Sequence, residues 1–287
     1  MDAACFDKTF INCCPTGMVP TKALNQNVPI SVEEIIQESI TLAALGTGII
    51  HLHARDETGA PTWKKETYKR IIAGIREHAP DVILCVTTSG RNWSDFARRS
   101  EVLEITGDDK PDMASLSLGS LNFMHSACCN SPQMINDLCK KMLGAAIKPE
   151  LEIFSPGMIN QMNILIEHNL LTPPYYANLI FGNIFTMQFE LAQAAYCLQH
   201  LPAPCITALA GIGQYQLPVN QLAIIMNKGI RIGLEDNLYL DKNKKIPASN
   251  SSLIERIKRF SELNETPFAS AAELRSALHL TSSTARI

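Results

Sequence analysis

Eight short apolar runs, each followed by a stretch of helical period, leave this chain of 287 residues few folds to choose from. The runs cover 9–13, 49–53, 82–86, 113–120, 148–154, 176–181 and 205–209, and the last starts at 229. Between and after them, helical patterns open at Ser31 and then span 64–78, 93–104, 133–143, 158–168, 188–200, 219–227 and 253–260. Ser31 with Glu34 three residues on makes a capping box, Ile30 and Ile35 can form the flanking staple, and Ile35, Ile36, Ile40 and Ala43 make a buried stripe. Strictly alternating strands and helices with short loops and no flexible linker specify a parallel sheet. Eight such units close it into a (β/α)8 TIM barrel, here a single domain over 1–287. Residues 262–287 are left as a C-terminal helical extension, with a short helix at 271–279 expected on the outside or on a neighbouring subunit. An open doubly wound sheet is the alternative; no Gly-x-Gly-x-x-Gly follows the first strand.

The second run ends in His51-Leu52-His53-Ala54-Arg55-Asp56. Side chains alternate faces along a strand, so His51 and His53 point the same way. Two co-facing imidazoles suit a transition metal, Zn²⁺ above all. The plain alternative is one packed imidazole and one turn cap, because two histidines supply only half a zinc shell. The last run, Gly229-Ile230-Arg231-Ile232-Gly233-Leu234, leads straight into Glu235 and Asp236. Charges seldom enter a buried strand unless paired or bound. Glu235 can complete a His, His, carboxylate set with one position open, as catalytic zinc sites have.

With 46% hydrophobic and 18% charged residues, the sequence reads as a globular protein with apolar surface to spare, which points to a homo-oligomer, dimer or tetramer. A net charge of −3 offers no basic footprint for nucleic acid. Residues 1–8 show no basic segment leading into a long apolar run, and no stretch reaches membrane-spanning length, so a cytoplasmic location without membrane contact is expected. The nine cysteines are odd in number, and the pairs Cys13-Cys14 and Cys128-Cys129 suit neither a disulfide framework nor a metal knuckle. They read as reduced thiols, Cys85 and Cys205 in the core and Cys13 packed or near a pocket mouth.

In a barrel of this kind the active site lies at the C-terminal ends of the strands. Unusual polar residues gather there: Cys13 and Thr16, His51 and His53, Thr87 to Gly90, Ser115 and Ser117, Glu150 and Glu152, Asn178, and Glu235 with Asp236. Seven of eight strand ends sending polar groups to one mouth is not what core packing alone would select.

These motifs resemble one known family. Pro15-Thr16-Gly17, Pro29-Ile30-Ser31, the His51 to Asp56 run with Gly59 and Pro61, Gly119-Ser120-Leu121-Asn122-Phe123, Pro149 to Phe154, Ala210-Gly211-Ile212-Gly213, Arg231 to Asn237 and Ala248-Ser249-Asn250 are similar, in register over about 9–280, to the β-keto acid cleavage enzymes. The resemblance implies a zinc-dependent barrel that condenses a β-keto acid with acetyl-CoA and then cleaves the product, giving acetoacetate and a new CoA thioester. It implies zinc on His51, His53 and Glu235, Asp236 as base oriented and kept ionised by Arg231, and Thr87, Ser115 and Glu152 in the substrate pocket. Ser117 and Asn178, at the same mouth, are further candidate substrate contacts. A purely architectural Arg231–Asp236 ion pair is the alternative.

The chain departs from the family pattern in places. Val19 stands where the aminohexanoate enzyme carries an acidic residue for the substrate ammonium, so an amino-bearing substrate is disfavoured. Phe185-Thr186 replaces a common Gly-Gly pair, and Gln214-Tyr215 an Arg-Trp type pair, both facing the region expected to receive acetyl-CoA. Phe154 and Tyr215 add apolar character or simply pack. Two other functions fit parts of the pattern: a metal-dependent barrel hydrolase, which needs further histidines on later strands whereas His125, His168 and His200 fall in loops or helix ends, and a non-catalytic metal or metabolite-binding barrel.

Overall fold

The structure is a computed structural model and describes residues 6–281; Cys5 and the N-terminal stretch read for a leader lie largely outside them. Its centre is a closed barrel of eight parallel strands. In chain order these are β1 Ile11–Cys13, β2 Ile49–Leu52, β3 Ile83–Val86, β4 Met113–Ser117, β5 Lys148–Ile153, β6 Tyr175–Phe181, β7 Cys205–Gly211 and β8 Gly229–Ile232. β8 closes on β1 with Asn12 opposite Arg231, so first and last strands place their polar residues side by side.

Helices α1 Val32–Ala44, α2 Lys65–His78, α3 Phe96–Ser100, α4 Pro132–Gly144, α5 Gly157–Glu167, α6 Leu191–His200, α7 Gln216–Ile225 and α8 Asn250–Leu263 follow the eight strands in turn. The main core lies between strands and helices, where Ile35 and Leu42 of α1 meet Ile71, Ile72 and Ile75 of α2 over the outward side chains of the sheet. The Ser31–Glu34 capping box is present, with the Glu34 carboxylate accepting from the Ser31 and Ile30 amides. Among the described residues no helix is long and apolar enough to cross a membrane. The eight described cysteines are free thiols; Cys13 is fully buried and Cys205 only half-buried.

Two elements differ from the sequence reading. The helix expected over 93–104 begins only at Phe96, where Asp95 caps the Arg98 amide, and tightens to a 3-10 turn over Glu101–Glu104. The strand expected over 113–120 ends at Ser117, and the chain beyond it turns back as a hairpin of Leu121–Asn122 against Ala127–Cys128. Two-residue strands are too short to show a period-2 pattern, so nothing in the sequence announced them.

The C-terminal extension does not sit on the outside, as the sequence suggested. Helix α9, Ala271–Ala277, lies under the barrel, where Leu274 and Leu278 pack on Phe10, Ile49, Ile83, Met113 and Ile206. The Arg275 guanidinium locks it there by donating to Asp112 Oδ1 (2.7 Å) and to the Val82 carbonyl (3.1 Å). With its floor sealed by α9, the barrel, among the described residues, opens at the opposite, C-terminal end of the strands.

Candidate active site

The floor of that opening is a buried polar layer around Glu150 on β5. Its Oε1 accepts from the amides of Asn12 (2.7 Å) and Asn178 (2.8 Å), the Cys85 thiol donates to Oε2 at 3.2 Å, and His51 Nδ1 lies 2.6 Å from Oε2. Burial pushes the Glu150 carboxyl up, but the charge and hydrogen bond of His51, Arg231 and the Asn12 donor outweigh it and bring its pKa down to about 2. An ionised carboxylate against Nδ1 fixes the tautomer of His51 and leaves Nε2 facing the mouth. His51 itself is held down by burial yet raised overall, because Glu150 and Glu235 attract its charged form.

Above this floor His51 Nε2 is 3.2 Å from His53 Nε2, which is 3.3 Å from Glu235 Oε2. Strand alternation explains the first pair. Glu235 arrives from the turn after β8, where the Glu235 amide bonds to the Cys14 carbonyl and Gly17 packs against its side chain. Glu235 Oε2 is buried and has no hydrogen-bond partner, while Oε1 is held by Arg231 Nη2 at 2.9 Å. Burial keeps His53 below its usual pKa in spite of Glu235, so the ring is neutral and carries a lone pair. Two imidazole nitrogens and one orphaned carboxylate oxygen converge, and the donor set fits a divalent transition metal. His51, Cys85 and Glu150 also approach one another, but the 2.6 Å contact consumes two of those donor atoms, which makes that group a support for His51.

Arg231 on β8 is the single guanidinium among four carboxylates, at 3.9 Å from Glu150, 3.2 Å from Glu152, 2.9 Å from Glu235 and 3.3 Å from Asp236. The excess of buried negative charge is itself an argument for a bound cation. Arg231 does contact Asp236, as the resemblance implied, but shares its charge with Glu150, Glu152 and Glu235 as well. Burial first and Glu235 next push the Asp236 pKa up to about 6 against the pull of Arg231.

The mouth is a cavity of about 330 Å³. Val19, Thr87, Ser117 and Glu152 line it together with His51, His53, Arg231, Glu235 and Asp236. Ser117 donates to Glu152 Oε2 at 2.7 Å, which matches their register across β4 and β5. Ser115 and Asn178 do not line it, a correction to the sequence reading. Ser115 faces Glu150 one pleat lower and accepts from the Thr88 amide, while Asn178 is fully buried against Glu150. Neither the Phe185-Thr186 pair nor Gln214-Tyr215 lines the cavity; Tyr215 packs beneath Gly182. His125, His168 and His200 are exposed and none joins the cluster, so the extra ligands a barrel hydrolase would need are missing among the described residues.

With this geometry in place, comparison with known proteins decides the family. The family model for beta-keto acid cleavage enzyme matches residues 8–280. The chain belongs to the β-keto acid cleavage enzyme family. Its relatives include the 3-keto-5-aminohexanoate cleavage enzyme of Acetoanaerobium sticklandii, 31% identical over 95% of this chain and 98% of that one. The 3-oxoadipate:acetyl-CoA acetyltransferase of Cupriavidus necator is 33% identical over 93% of both chains. Among solved structures, a ternary complex of ObcA with a C4-CoA adduct and oxalate superposes with a TM-score of 0.76 at 19% identity, over 88% of this chain and 68% of that one, a likeness of fold.

Several residues that shape this family member's site were not singled out for it in the sequence. Arg55 donates to the carbonyls of Gly17 (2.6 Å) and Pro20 (2.9 Å) and so shapes the loop after β1. Asn250 at the start of α8 accepts from the Leu234 amide at 2.9 Å, and Gln216 donates to the Gly233 carbonyl, which together set the turn that carries Glu235 and Asp236. Glu150 gave a legible signal, two carboxylates spaced by two on one strand; Arg55 and Asn250 gave only their places in a motif.

Proposed function

We propose that this protein is a Zn²⁺-dependent β-keto acid cleavage enzyme that exchanges acyl groups between a β-keto acid lacking an amino group and acetyl-CoA. The reading is carried by the convergence of His51 Nε2, His53 Nε2 and Glu235 Oε2 beside Asp236, in a chain of this family. His51, His53 and Glu235 would hold the ion; bound there, it supplies Lewis acidity that polarises the keto oxygen of the substrate. Asp236 is the base. Its Oδ2 is engaged by Arg231, which leaves Oδ1 to take the α proton, and a carboxylate with a raised pKa is the stronger base. The α carbon then bonds to the acetyl carbon as the C–S bond of acetyl-CoA breaks and CoA thiolate leaves. The thiolate adds to the original acyl carbon, the bond from that carbon to the α carbon breaks, and the α carbon takes back the proton held by Asp236. Acetoacetate and a new acyl-CoA result.

Arg231 balances the charge that gathers on Glu152, Glu235 and Asp236, and Ser117 orients Glu152. Thr87 faces the substrate. The relatives accept acyl chains of very different charge, from an aminohexanoate to an oxoadipate, so the tail is selected away from the reacting centre. We further place the protein in the cytoplasm as a homo-oligomer, on its apolar surface and its nucleotide-bearing co-substrate. The test combines metal analysis of the purified protein with acetoacetate release from acetyl-CoA across a panel of β-keto acids. About one divalent ion per chain and turnover abolished by chelation and restored by Zn²⁺ are expected; no turnover of any β-keto acid by the metal-loaded protein would overturn the assignment.

A further inference from the structure

Five charged side chains line the cavity: Glu152, Glu235, Asp236, Arg231 and Arg91. The first three are each bonded to the fourth. Arg91, in the loop after β3, has no carboxylate partner and no side-chain hydrogen bond among the described residues. Its guanidinium carbon lies 3.7 Å from the centroid of the Phe123 ring, on the hairpin that follows β4. We infer that Arg91 is the subsite for a distal carboxylate, so that the substrate of this chain is a β-keto dicarboxylate. The inference deepens the β-keto acid cleavage reading and rests on it.

The physical argument starts from what Arg91 lacks. A guanidinium that is half-buried and unpaired has given up solvation without a partner in return, and an arriving anion relieves that cost. Burial is what pulls the Arg91 pKa down, opposed by the charges of Cys128 and Glu235, neither of which is hydrogen-bonded or ion-paired with it. Stacking on Phe123 limits the swing of a long side chain while leaving the N–H edge open for two parallel bonds to a carboxylate. The Arg91 amide donates to Ser89 Oγ at 3.3 Å, which ties the residue to the loop that also presents Thr87. Two separate loops therefore hold this one cation at the cavity wall.

Other tails fare worse. An ammonium meets Val19 and Phe154 as apolar neighbours, and the carboxylates on the lining are engaged by Arg231, with Glu235 Oε2 turned to the ion and Asp236 Oδ1 to the α proton. A neutral tail leaves Arg91 covered and unpaired. The phosphates of CoA are the other source of anionic charge, and the acetyl-CoA arm of the experiment separates them from a distal carboxylate.

Binding is measured first, by calorimetry on the Zn²⁺-loaded protein without CoA, with 3-oxoadipate and with 3-oxohexanoate, which has the same carbon chain and no distal carboxylate. The wild type is expected to bind 3-oxoadipate the more tightly. Arg91→Met is expected to weaken that binding about ten- to hundredfold and to change 3-oxohexanoate binding less than about threefold, with Arg91→Lys in between. Circular dichroism and the metal content of Arg91→Met confirm that fold and ion are intact. Equal weakening of both ligands, or a wild-type preference for 3-oxohexanoate, would overturn the inference. So would a rise in the acetyl-CoA KM of Arg91→Met that is the same with either keto acid, which would assign Arg91 to the phosphates. A dicarboxylate preference in binding with no turnover would instead sink the cleavage reading and leave the subsite standing.

Discussion

Glu150 and His51 come from strands that are not neighbours, β5 and β2, and meet across the barrel interior at 2.6 Å, in the buried polar layer beneath the cavity. The contact orients the imidazole from below, and carboxylates in that position raise the basicity of a metal-ligating histidine. Glu150→Gln keeps the volume and removes the charge. It also sets an amide against Asn12 and Asn178, two donors that now have an acceptor. Zn²⁺ affinity in a competition titration should fall about 10- to 100-fold. Wild-type affinity in this variant would show that His51 does not depend on its buried partner.

Gly17 is where the loop after β1 touches the metal-ligating glutamate. Its φ is +68°, and a Cβ added there would sit 2.7 Å from Glu235 Cγ. Gly17→Ala should therefore displace Glu235 and abolish stoichiometric metal binding. Gly46→Ala is the control, because Gly46 also has positive φ, at +89°, with nothing within 4 Å of the added Cβ. Both variants should lose about 1–2 kcal/mol in urea unfolding from the backbone term, and only Gly17→Ala should lose the ion. Equal metal content in the two would show that Glu235 can shift to accommodate the methyl group.

How much of this was legible follows from which interactions have a local signature. The eight strand–helix units and the Ser31 cap were readable because alternation, helical period and the capping pair lie within a few residues of one another. His51 and His53 were readable for the same reason, and Glu235 because a carboxylate beside a buried strand is unusual. The hairpin at Leu121–Asn122 and Ala127–Cys128, the sealing of the floor by α9 and the loss of Ser115 from the cavity have no such signature. Whether Ser115 meets substrate or lies one layer beneath it depends on how deep that part of β4 sits in the barrel, and that stagger is settled by contacts across the whole sheet. The sharing of Arg231 among four carboxylates is likewise a consequence of closure, since Glu152 reaches it from the far side.

Lys148, at the first position of β5, gives a stability effect with a defined pH window. Burial lowers its pKa from the usual 10.5 to about 8, although it donates to the Pro174 carbonyl at 2.9 Å. Between those two pH values the unfolded chain holds a proton that the folded chain has released, so this residue's contribution to stability grows as pH rises from about 8 and is lost as pH falls back through it. Lys148→Met removes the titration. Unfolding free energies taken in urea at pH 7.5 and 9.5 should therefore show the wild type gaining relative to Lys148→Met at the higher pH. Parallel pH curves for the two proteins would mean that this lysine is solvated in the folded state.

Glu235 and Asp236 are adjacent carboxylates with opposite shifts, and the proposed roles separate them by experiment. Coulombic attraction from His53 and Arg231 holds Glu235 below its usual range in spite of burial, as a ligand requires, whereas burial and the Glu235 charge push Asp236 up, as a base requires. Glu235→Gln should lose the ion and the activity together. Asp236→Asn should keep the ion, since Asp236 is not among the converging donors, and lower acetoacetate release about 10²- to 10⁴-fold. Its substrate affinity should change little, because Arg231 keeps its bonds to Glu152 and Glu235 and the cavity keeps its shape. A variant that lost the metal on Asp236→Asn, or one that retained more than about a tenth of the wild-type rate, would remove Asp236 from the role of base and return its contact with Arg231 to architecture.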